Sequence, residues 1–246
     1  MPRAVVLQHA QVEGPGRIAD VLNESGYELS LHTLRGAEDL PQVLPEELLV
    51  VMGGSMGVGD LDWSEFPYLR KEVELLQRRI AQGAPVLGVC LGAQLLAYAA
   101  GAAVEPMKRR DGARAYEVGW APIRFHPIQT PNGTADELLE GIPEQAMVLH
   151  WHGDAFELPL GARLFASSPL CNQGFQLGSS YGLQFHCEVT ESQIEDFLRE
   201  DRDYVLGANG ADGVEQLRRD TKEYFGSFCD MGNRLLGNIV RALTTR

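Results

Sequence analysis

The sequence lacks the features of a disulfide-stabilised or membrane-spanning protein. Its 246 residues include four cysteines, none of them in a Cys-x-x-Cys pair, which is too few for a disulfide scaffold. No stretch approaches the roughly 20 consecutive apolar residues of a membrane-spanning helix. The apolar run after Met1-Pro2-Arg3 is also too short for the hydrophobic region of a signal peptide. We therefore expect free thiols, no membrane association and a cytoplasmic location.

Positive charge is scarce as well. The chain carries 21 lysines and arginines against 34 aspartates and glutamates, a formal net charge of −13 at pH 7. The basic residues are scattered rather than clustered, which argues against a nucleic acid or an anionic membrane as a partner. The phosphate-binding patterns G-x-x-x-x-G-K-[ST] and G-x-G-x-x-G are both missing from the sequence.

The first 100 residues alternate apolar runs with amphipathic segments. Strands are predicted at 4–8, 27–31, 48–52 and 85–89, and helices at 18–25, 69–80 and 93–100. Alternation at this spacing implies parallel βαβ units. We predict an α/β fold of the flavodoxin-like kind, with a mostly parallel central sheet and helices on both faces.

The rest of the chain changes character. Between about 104 and 183 the segments are short and rich in glycine, proline and aromatic residues, which indicates an antiparallel excursion before 182–185 returns to the sheet. After Thr190, apolar residues three and four apart predict one or two amphipathic helices. We predict one domain over 1–246, with a core of about 4–192 and a helical extension of about 193–246. The extension is expected to pack across the core or against a second copy of the chain in a homodimer.

The segment Gly88-Val89-Cys90-Leu91-Gly92 lies between a predicted strand and a predicted helix. A nucleophile on such a tight turn projects from the carboxyl end of the sheet, where open α/β folds place their sites. The helix N-terminus behind it favours the reactive thiolate. The alternative is a buried structural cysteine beside small residues.

A thiolate nucleophile needs a base, and the base needs an orienting group. His186 and Glu188 are two residues apart in Gln184-Phe185-His186-Cys187-Glu188, so in a strand they face the same side. A structural histidine is the alternative. Gly53-Gly54-Ser55-Met56-Gly57, which follows a strand, is predicted to supply backbone N–H groups to an oxyanion together with the Leu91 N–H. The alternatives for this loop are a simple turn or a phosphate site.

In their order and separation, these three motifs resemble the class I glutamine amidotransferase family, and most of all its stand-alone members that are similar to the glutaminase part of GMP synthetase. The resemblance runs from about Ala4 to Ser192. It implies a nucleophile, a base and an orienting acid at Cys90, His186 and Glu188. It also implies oxyanion donors at Gly54 and Leu91.

The resemblance extends to the substrate pocket. It implies substrate-binding residues at Gln94, Asn172, Gln173, Phe175 and His152. The sequence departs from the family pattern where Cys187 replaces the usual proline between the histidine and the glutamate, and where Ser55 replaces the proline of Gly-Gly-Pro. Both departures leave the reacting groups in place.

The segment His150-Trp151-His152-Gly153-Asp154 contains a His-x-His pair, which also occurs in metal sites. No further histidine or cysteine is grouped with it in the sequence, so we expect no metal there. No organic cofactor is expected either, because the implied reaction is acyl transfer to water.

Three functions remain open. The first is hydrolysis of a γ-glutamyl amide through a γ-glutamyl thioester, with release of glutamate and without a partner; this is the function we favour. The second is a glutaminase that delivers ammonia to a separate synthetase chain, because the sequence has no ATP-pyrophosphatase signature of its own. The third is a non-catalytic binding module with the same fold.

Overall fold

A computed structural model describes residues 1–34, 39–127 and 136–244. It contains these strands: β1 Arg3–Gln8, β2 Glu28–Thr33, β3 Leu48–Val51, β4 Val86–Val89, β5 Val104–Pro106, β6 Glu117–Phe125, β7 Gln145–His152, β8 Asp154–Phe156, β9 Arg163–Ser167, β10 Asn172–Leu177 and β11 Ser180–Leu183. The α-helices are α1 Gly16–Glu24, α2 Pro67–Gln82, α3 Leu91–Ala99, α4 Glu191–Glu200, α5 Arg202–Asn209 and α6 Gly213–Thr244.

Nine of the strands form one sheet, in the order β2-β1-β3-β4-β11-β10-β9-β6-β7. The first five are parallel. From β10 onwards every neighbouring pair is antiparallel. The parallel order is that of flavodoxin-like folds, so the predicted α/β class is confirmed. The excursion in the middle of the chain extends this same sheet, while β5 and β8 form a separate two-stranded sheet.

Helices cover both faces of the sheet. On one face, α2 and α3 pack over a cluster that includes Leu76 and Leu96. On the other, α1, α4 and α6 pack over a cluster that includes Ile18, Phe197 and Leu235. The central strands β3 and β4 are fully buried, which is why their sequences are nearly all apolar rather than alternating.

The helical extension ends in one long helix rather than two. Its apolar stripe packs against the chain's own sheet, where Phe228 is buried and meets the Trp120 ring edge-on at 4.9 Å. The Trp120 indole N–H donates to Thr221 Oγ1 at 2.9 Å. Arg17 of α1 donates to the Cys229 carbonyl at 2.9 Å, which joins α1 to α6. The stripe is therefore covered within the chain, as one of the two predicted arrangements requires.

Over the residues that the structure describes, no helix is both long enough and apolar enough to cross a membrane.

Candidate active site

Cys90 lies at the junction of β4 and α3 in a strained backbone conformation. Its φ of 50° and ψ of −108° make it the one non-glycine residue with positive φ in the described ranges. The two glycines beside it allow the turn. A Cβ at Gly88 would lie 2.5 Å from the Gly92 carbonyl oxygen, and one at Gly92 would overlap the Val51 carbonyl. The chain can therefore pass from strand to helix around Cys90 only with glycine at both positions.

His186 and Glu188 follow β11, at the edge of the sheet where β4 also ends. The His186 N–H donates to the Leu149 carbonyl at 2.9 Å, which anchors this segment to β7. His186 Nδ1 lies 2.8 Å from Glu188 Oε1, and both side chains are buried. His186 Nε2 has no hydrogen-bond partner among the described residues. Glu188 thus fixes the orientation of the His186 ring, and the Nε2 atom remains available to contact another group.

Electrostatics couple this imidazole to Cys90. Burial lowers the pKa of His186, but the Glu188 carboxylate and Cys90 outweigh it and hold that pKa well above its usual value. Burial raises the pKa of the Cys90 thiol, and His186 is the largest influence in the opposite direction. Glu188 therefore stabilises a protonated His186, and His186 in turn stabilises a thiolate at Cys90.

The glycine loop after β3 lies beside Cys90. A Cβ on Gly54 would be 3.0 Å from both His9 Cβ and Leu91 Cδ2, so the loop backbone closely approaches the start of α3. His9 Nδ1 meets the Gly53 carbonyl oxygen at 3.0 Å, and its Nε2 meets Glu72 Oε2 at 2.9 Å. This fully buried pair holds the loop in position.

Neither of the two predicted oxyanion donors, the N–H groups of Gly54 and Leu91, has an acceptor in the backbone of the described residues. In the described part of the chain, the Gly54 N–H makes no backbone hydrogen bond. Leu91 is the first residue of α3, so its N–H has no acceptor within the helix. Leu91 directly follows Cys90, and Gly54 lines the same cavity as Cys90.

A cavity of about 450 Å³ opens over Cys90. Its wall includes these residues: Glu13, Gly54, Ser55, Met56, Gly57, Asp60, Cys90, Gln94, Arg114, Tyr116, Trp151, His152, Asp154, Asp201 and Tyr204. Gly54, Cys90, Gln94 and His152 were predicted to belong to the site. Its volume lies within the range of about 300–1,000 Å³ that is typical of small-molecule binding pockets.

Gln94 is held by two contacts. Its Nε2 donates to the Asp154 carbonyl and to Gln184 Oε1, each at 3.2 Å. Gln184 in turn directs its Nε2 to Cys90 Sγ at 3.8 Å. Gln94 therefore lies in a network that reaches the thiol from one helical turn away.

Asn172, Gln173 and Phe175 are not in this wall, although they were predicted to line the pocket. Phe175 is fully buried against the Phe156 ring, 5.0 Å away. Gln173 is also fully buried and donates to Glu117 Oε2 at 2.7 Å. Asn172 donates to the Phe156 carbonyl at 3.2 Å. Strand β10 places them behind the wall, because its neighbour β11 lies between it and β4.

Several wall residues escaped the sequence analysis. Glu13 follows β1; burial raises the pKa of its carboxyl to about 7, while His186 acts in the opposite direction. Asp201 accepts from the Trp151 indole at 2.9 Å, and Tyr204 meets the Tyr116 ring edge-on at 5.6 Å. No motif marks these residues, since they come from segments that are distant in sequence.

The structure accommodates both residues that depart from the family pattern. Cys187 is fully buried in the core, and its carbonyl accepts a hydrogen bond from Arg17. Ser55 lines the cavity and directs its hydroxyl to Met56 Sδ at 3.7 Å. Neither substitution disturbs the spacing between His186 and Glu188.

Comparison with known proteins agrees with this geometry. The sequence profile of the family described as glutamine amidotransferase class-I matches residues 17–202. A Salmonella typhimurium protein, named the glutamine amidotransferase-like protein YfeJ, is 30% identical over 207 residues, which cover 82% of each chain. A GMP synthase of Albidiferax ferrireducens is 33% identical over 157 residues, which cover 55% of this chain and 27% of that enzyme. The chain thus spans only about a quarter of that GMP synthase.

Solved structures extend the likeness to the whole chain. The crystal structure of a glutamine amidotransferase from Thermotoga maritima superposes with a TM-score of 0.81 at 26% identity, covering 100% of this chain and 99% of that one. The helical extension is therefore shared with that protein. The family profile spans well over half of the sequence, and we conclude that this chain belongs to the class I glutamine amidotransferases.

Proposed function

We propose that the chain hydrolyses a γ-glutamyl amide through a γ-glutamyl thioester on Cys90, without a partner protein. His186 takes the thiol proton as Cys90 Sγ attacks the γ-carbonyl carbon. The imidazolium then protonates the departing amine as the carbon–nitrogen bond breaks. His186 next removes a proton from water as the water oxygen attacks the thioester carbon. The carbon–sulfur bond breaks, glutamate leaves, and the Cys90 thiolate regains its proton from His186.

Glu188 orients the base. Its hydrogen bond at 2.8 Å fixes the Nδ1 side of His186, so that Nε2 faces the reacting atoms. Glu188 also stabilises the imidazolium that forms in each half-reaction. The Gly54 and Leu91 N–H groups supply the oxyanion hole in this proposal, because neither has a backbone acceptor among the described residues.

One observation favours partner-independent hydrolysis over ammonia delivery. The cavity wall is completed by residues of the helical extension, namely Asp201 before α5 and Tyr204 within it. They pack against Trp151 and Tyr116, so the chain itself forms a wall beside the nucleophile. Such a wall supplies binding energy from the amine side of a substituted substrate, which a free glutamine does not use.

The alternative is a glutaminase that passes ammonia to a synthetase chain. Similarity to part of GMP synthases supports it, since those proteins are named as glutamine-hydrolysing. A non-catalytic module has less support, because Cys90 and Gly54 line one cavity and His186, which is electrostatically coupled to Cys90, is paired with Glu188.

The test is the ratio of kcat/KM for a γ-glutamyl peptide to that for glutamine, measured with the purified chain alone. We expect a preference of at least about tenfold for the peptide, worth about 1.4 kcal/mol of transition-state binding. Cys90→Ala is the blank for contaminating activity. If turnover of both substrates is negligible and is restored by adding a synthetase subunit, the chain is instead a glutaminase that delivers ammonia.

A further inference from the structure

His9, which follows β1, belongs to a buried histidine–carboxylate pair that is separate from the pair at the nucleophile. Its Nε2 lies 2.9 Å from Oε2 and 3.1 Å from Oε1 of Glu72 in α2, and its Nδ1 lies 3.0 Å from the Gly53 carbonyl oxygen. Both side chains are fully buried. Neither lines the cavity over Cys90, so any effect of this pair on the reaction is indirect.

The contacts of His9 fix where its protons lie. The Gly53 carbonyl oxygen can only accept a hydrogen bond, so Nδ1 carries a proton. Burial lowers the pKa of His9, but the Glu72 carboxylate outweighs burial and raises that pKa above its usual value. Two other titratable groups face the ring: the Glu13 carboxyl, which also raises this pKa, and Tyr68, whose ring centroid lies 6.0 Å away. At neutral pH, His9 therefore donates to Glu72 and to Gly53 at the same time.

The hydrogen bond to Gly53 sets the direction of the next N–H group. No cis peptide bond occurs among the described residues, so the peptide between Gly53 and Gly54 is trans, and its C=O and N–H point in opposite directions. Because the carbonyl points at His9, the Gly54 N–H points away from His9. Gly54 lines the cavity over Cys90, whereas Gly53 is buried and does not. The N–H group is thus on the side of the peptide that faces away from the buried pair.

Two consecutive glycines make this peptide easy to reverse. Reversal changes ψ of Gly53 and φ of Gly54, and neither residue has a Cβ that would oppose the change. A reversed peptide would present a carbonyl oxygen in place of the Gly54 N–H, and that oxygen would repel an oxyanion. The Gly53 carbonyl is buried and needs a donor, which His9 supplies only in the observed orientation. The hydrogen bond from His9 therefore favours the orientation that can bind an oxyanion.

We propose that His9, oriented by Glu72, is a positioning residue for the oxyanion hole. Its hydrogen bond to the Gly53 carbonyl holds the Gly54 N–H towards the carbonyl group that Cys90 attacks. This inference rests on the proposed function, because an oxyanion forms only if Cys90 attacks a carbonyl carbon. The donor acts most strongly in the transition state, so loss of its position should lower kcat far more than it changes KM.

Two variants separate the hydrogen bond from the charge of the pair. In Glu72→Gln, the amide N–H can donate to Nε2 of a neutral His9, so the Nδ1 proton stays on the Gly53 carbonyl. In the double variant His9→Leu/Glu72→Leu, apolar side chains replace the whole buried pair, which proteins commonly tolerate, but the carbonyl loses its donor. We expect kcat for a γ-glutamyl peptide to fall about 10²-fold in the double variant and less than about fivefold in Glu72→Gln. KM should stay within about threefold in both.

A transition-state mimic gives a readout that a purely structural role would not change. The Cys90 thiol adds to a γ-glutamyl aldehyde and forms a thiohemiacetal whose oxygen occupies the oxyanion hole, whereas iodoacetamide alkylates the same thiol without using the hole. In the double variant, the inhibition constant of the aldehyde should rise about 10²-fold, while the rate of Cys90 alkylation should stay within about twofold. His126→Leu is the matched control and should change neither quantity, since His126 contacts Ser167 and lies outside this cavity.

NMR of the unaltered chain with isotope-labelled histidine tests the geometry without any substrate. His9 should show an Nδ1 proton that exchanges slowly with solvent, assigned by its disappearance in the double variant. A His9 ring without a proton on Nδ1 would overturn the proposal, and so would equal losses of kcat in Glu72→Gln and the double variant. The proposed function would fail in a different way: the unaltered chain would show neither turnover nor inhibition by the aldehyde while the Nδ1 proton is present, and this inference would then fail with it.

Discussion

The two halves of the central sheet contribute different parts of the candidate site. The parallel half, from β2 to β11, is covered by helices on both faces and carries Cys90 at the end of β4. The antiparallel half, from β10 to β7, contributes the wall residues Trp151 and His152. Reacting groups are thus held by the most buried backbone, while the surfaces that would select a substrate come from strands and helices added beside it.

This division has a physical basis. Backbone at the ends of fully buried strands is fixed by packing on two faces, so a nucleophile there keeps its geometry without a ligand. The strands of the antiparallel half are connected by loops, and loop sequences tolerate change more readily than the strands that they connect. The comparison therefore predicts that variants in the parallel half lower kcat, and that variants in the wall change KM for particular substrates.

The largest effect is expected for Cys90→Ala. Removing the nucleophile removes the covalent route, so kcat should fall by at least about 10⁴-fold. Circular dichroism should remain unchanged, because alanine fits the space that the thiol occupies. Cys229→Ala, far from the cavity, should retain full activity. Substantial turnover by Cys90→Ala would end the thioester mechanism.

Glu188→Gln should come next, with a loss of about 10²-fold in kcat. Glutamine keeps the shape but cannot stabilise the imidazolium, so the pKa of His186 should fall from its raised value. The proton resonances of the imidazole, followed by NMR against pH, measure this shift. An unchanged titration would mean that Glu188 does not act on His186.

Gly92→Ala tests the tight packing around the turn. The added methyl group overlaps the Val51 carbonyl, so we expect a loss of about 1–3 kcal/mol in unfolding free energy together with reduced activity. Gly226→Ala, in α6 with open space around it, is the matched control and should be neutral or stabilising by up to about 1 kcal/mol. Equal effects of the two substitutions would contradict the packing argument.

Glu13→Gln should change how stability depends on pH. The pKa of Glu13 is raised from 4.5 to about 7, so the folded chain holds this proton more tightly than the unfolded chain. The native protein therefore loses stability as pH rises from about 4.5 to about 7, and glutamine abolishes this loss. Urea titrations at several pH values should show the variant gaining about 1–3 kcal/mol relative to the native chain over that interval. Curves of stability against pH that run parallel for the native chain and Glu13→Gln would contradict this prediction.

The smallest effect is expected in the wall. Tyr204→Leu removes an aromatic surface that packs on Tyr116, and it should raise KM for a γ-glutamyl peptide about tenfold. Turnover of free glutamine should stay within about twofold, since glutamine has no amine substituent to reach Tyr204. An equal loss with both substrates would show that the wall does not separate them.

Most site residues of the parallel half could be predicted from the sequence, whereas few residues of the cavity wall could. The difference lies in how far apart in the sequence the interacting residues are. Gly88, Cys90 and Gly92 lie within one turn, and His186 and Glu188 are neighbours, so local patterns predicted their placement. Glu13, Asp201 and Tyr204 come from segments that are distant in sequence and line one cavity only in the folded chain. No local sequence pattern predicts this arrangement.

The antiparallel half also holds the predicted substrate-binding residues that do not line the cavity over Cys90. Asn172, Gln173 and Phe175 were assigned to the pocket through a family likeness, which stays a prediction; in the structure, β10 places Gln173 against Glu117 and packs Phe175 against Phe156. Strand order in an antiparallel excursion is set by tertiary packing, which periodicity does not encode.

Covalent labelling tests the central claim most directly. The purified chain should be treated with a γ-glutamyl chloromethyl ketone, which presents an electrophilic carbon where the γ-carbonyl would lie, and then analysed by peptide mass spectrometry. The account predicts one adduct per chain on Cys90, slowed by a γ-glutamyl peptide and much slower in His186→Ala. Equal labelling of Cys171 and Cys229, or an adduct rate that ignores both the peptide and His186, would contradict it.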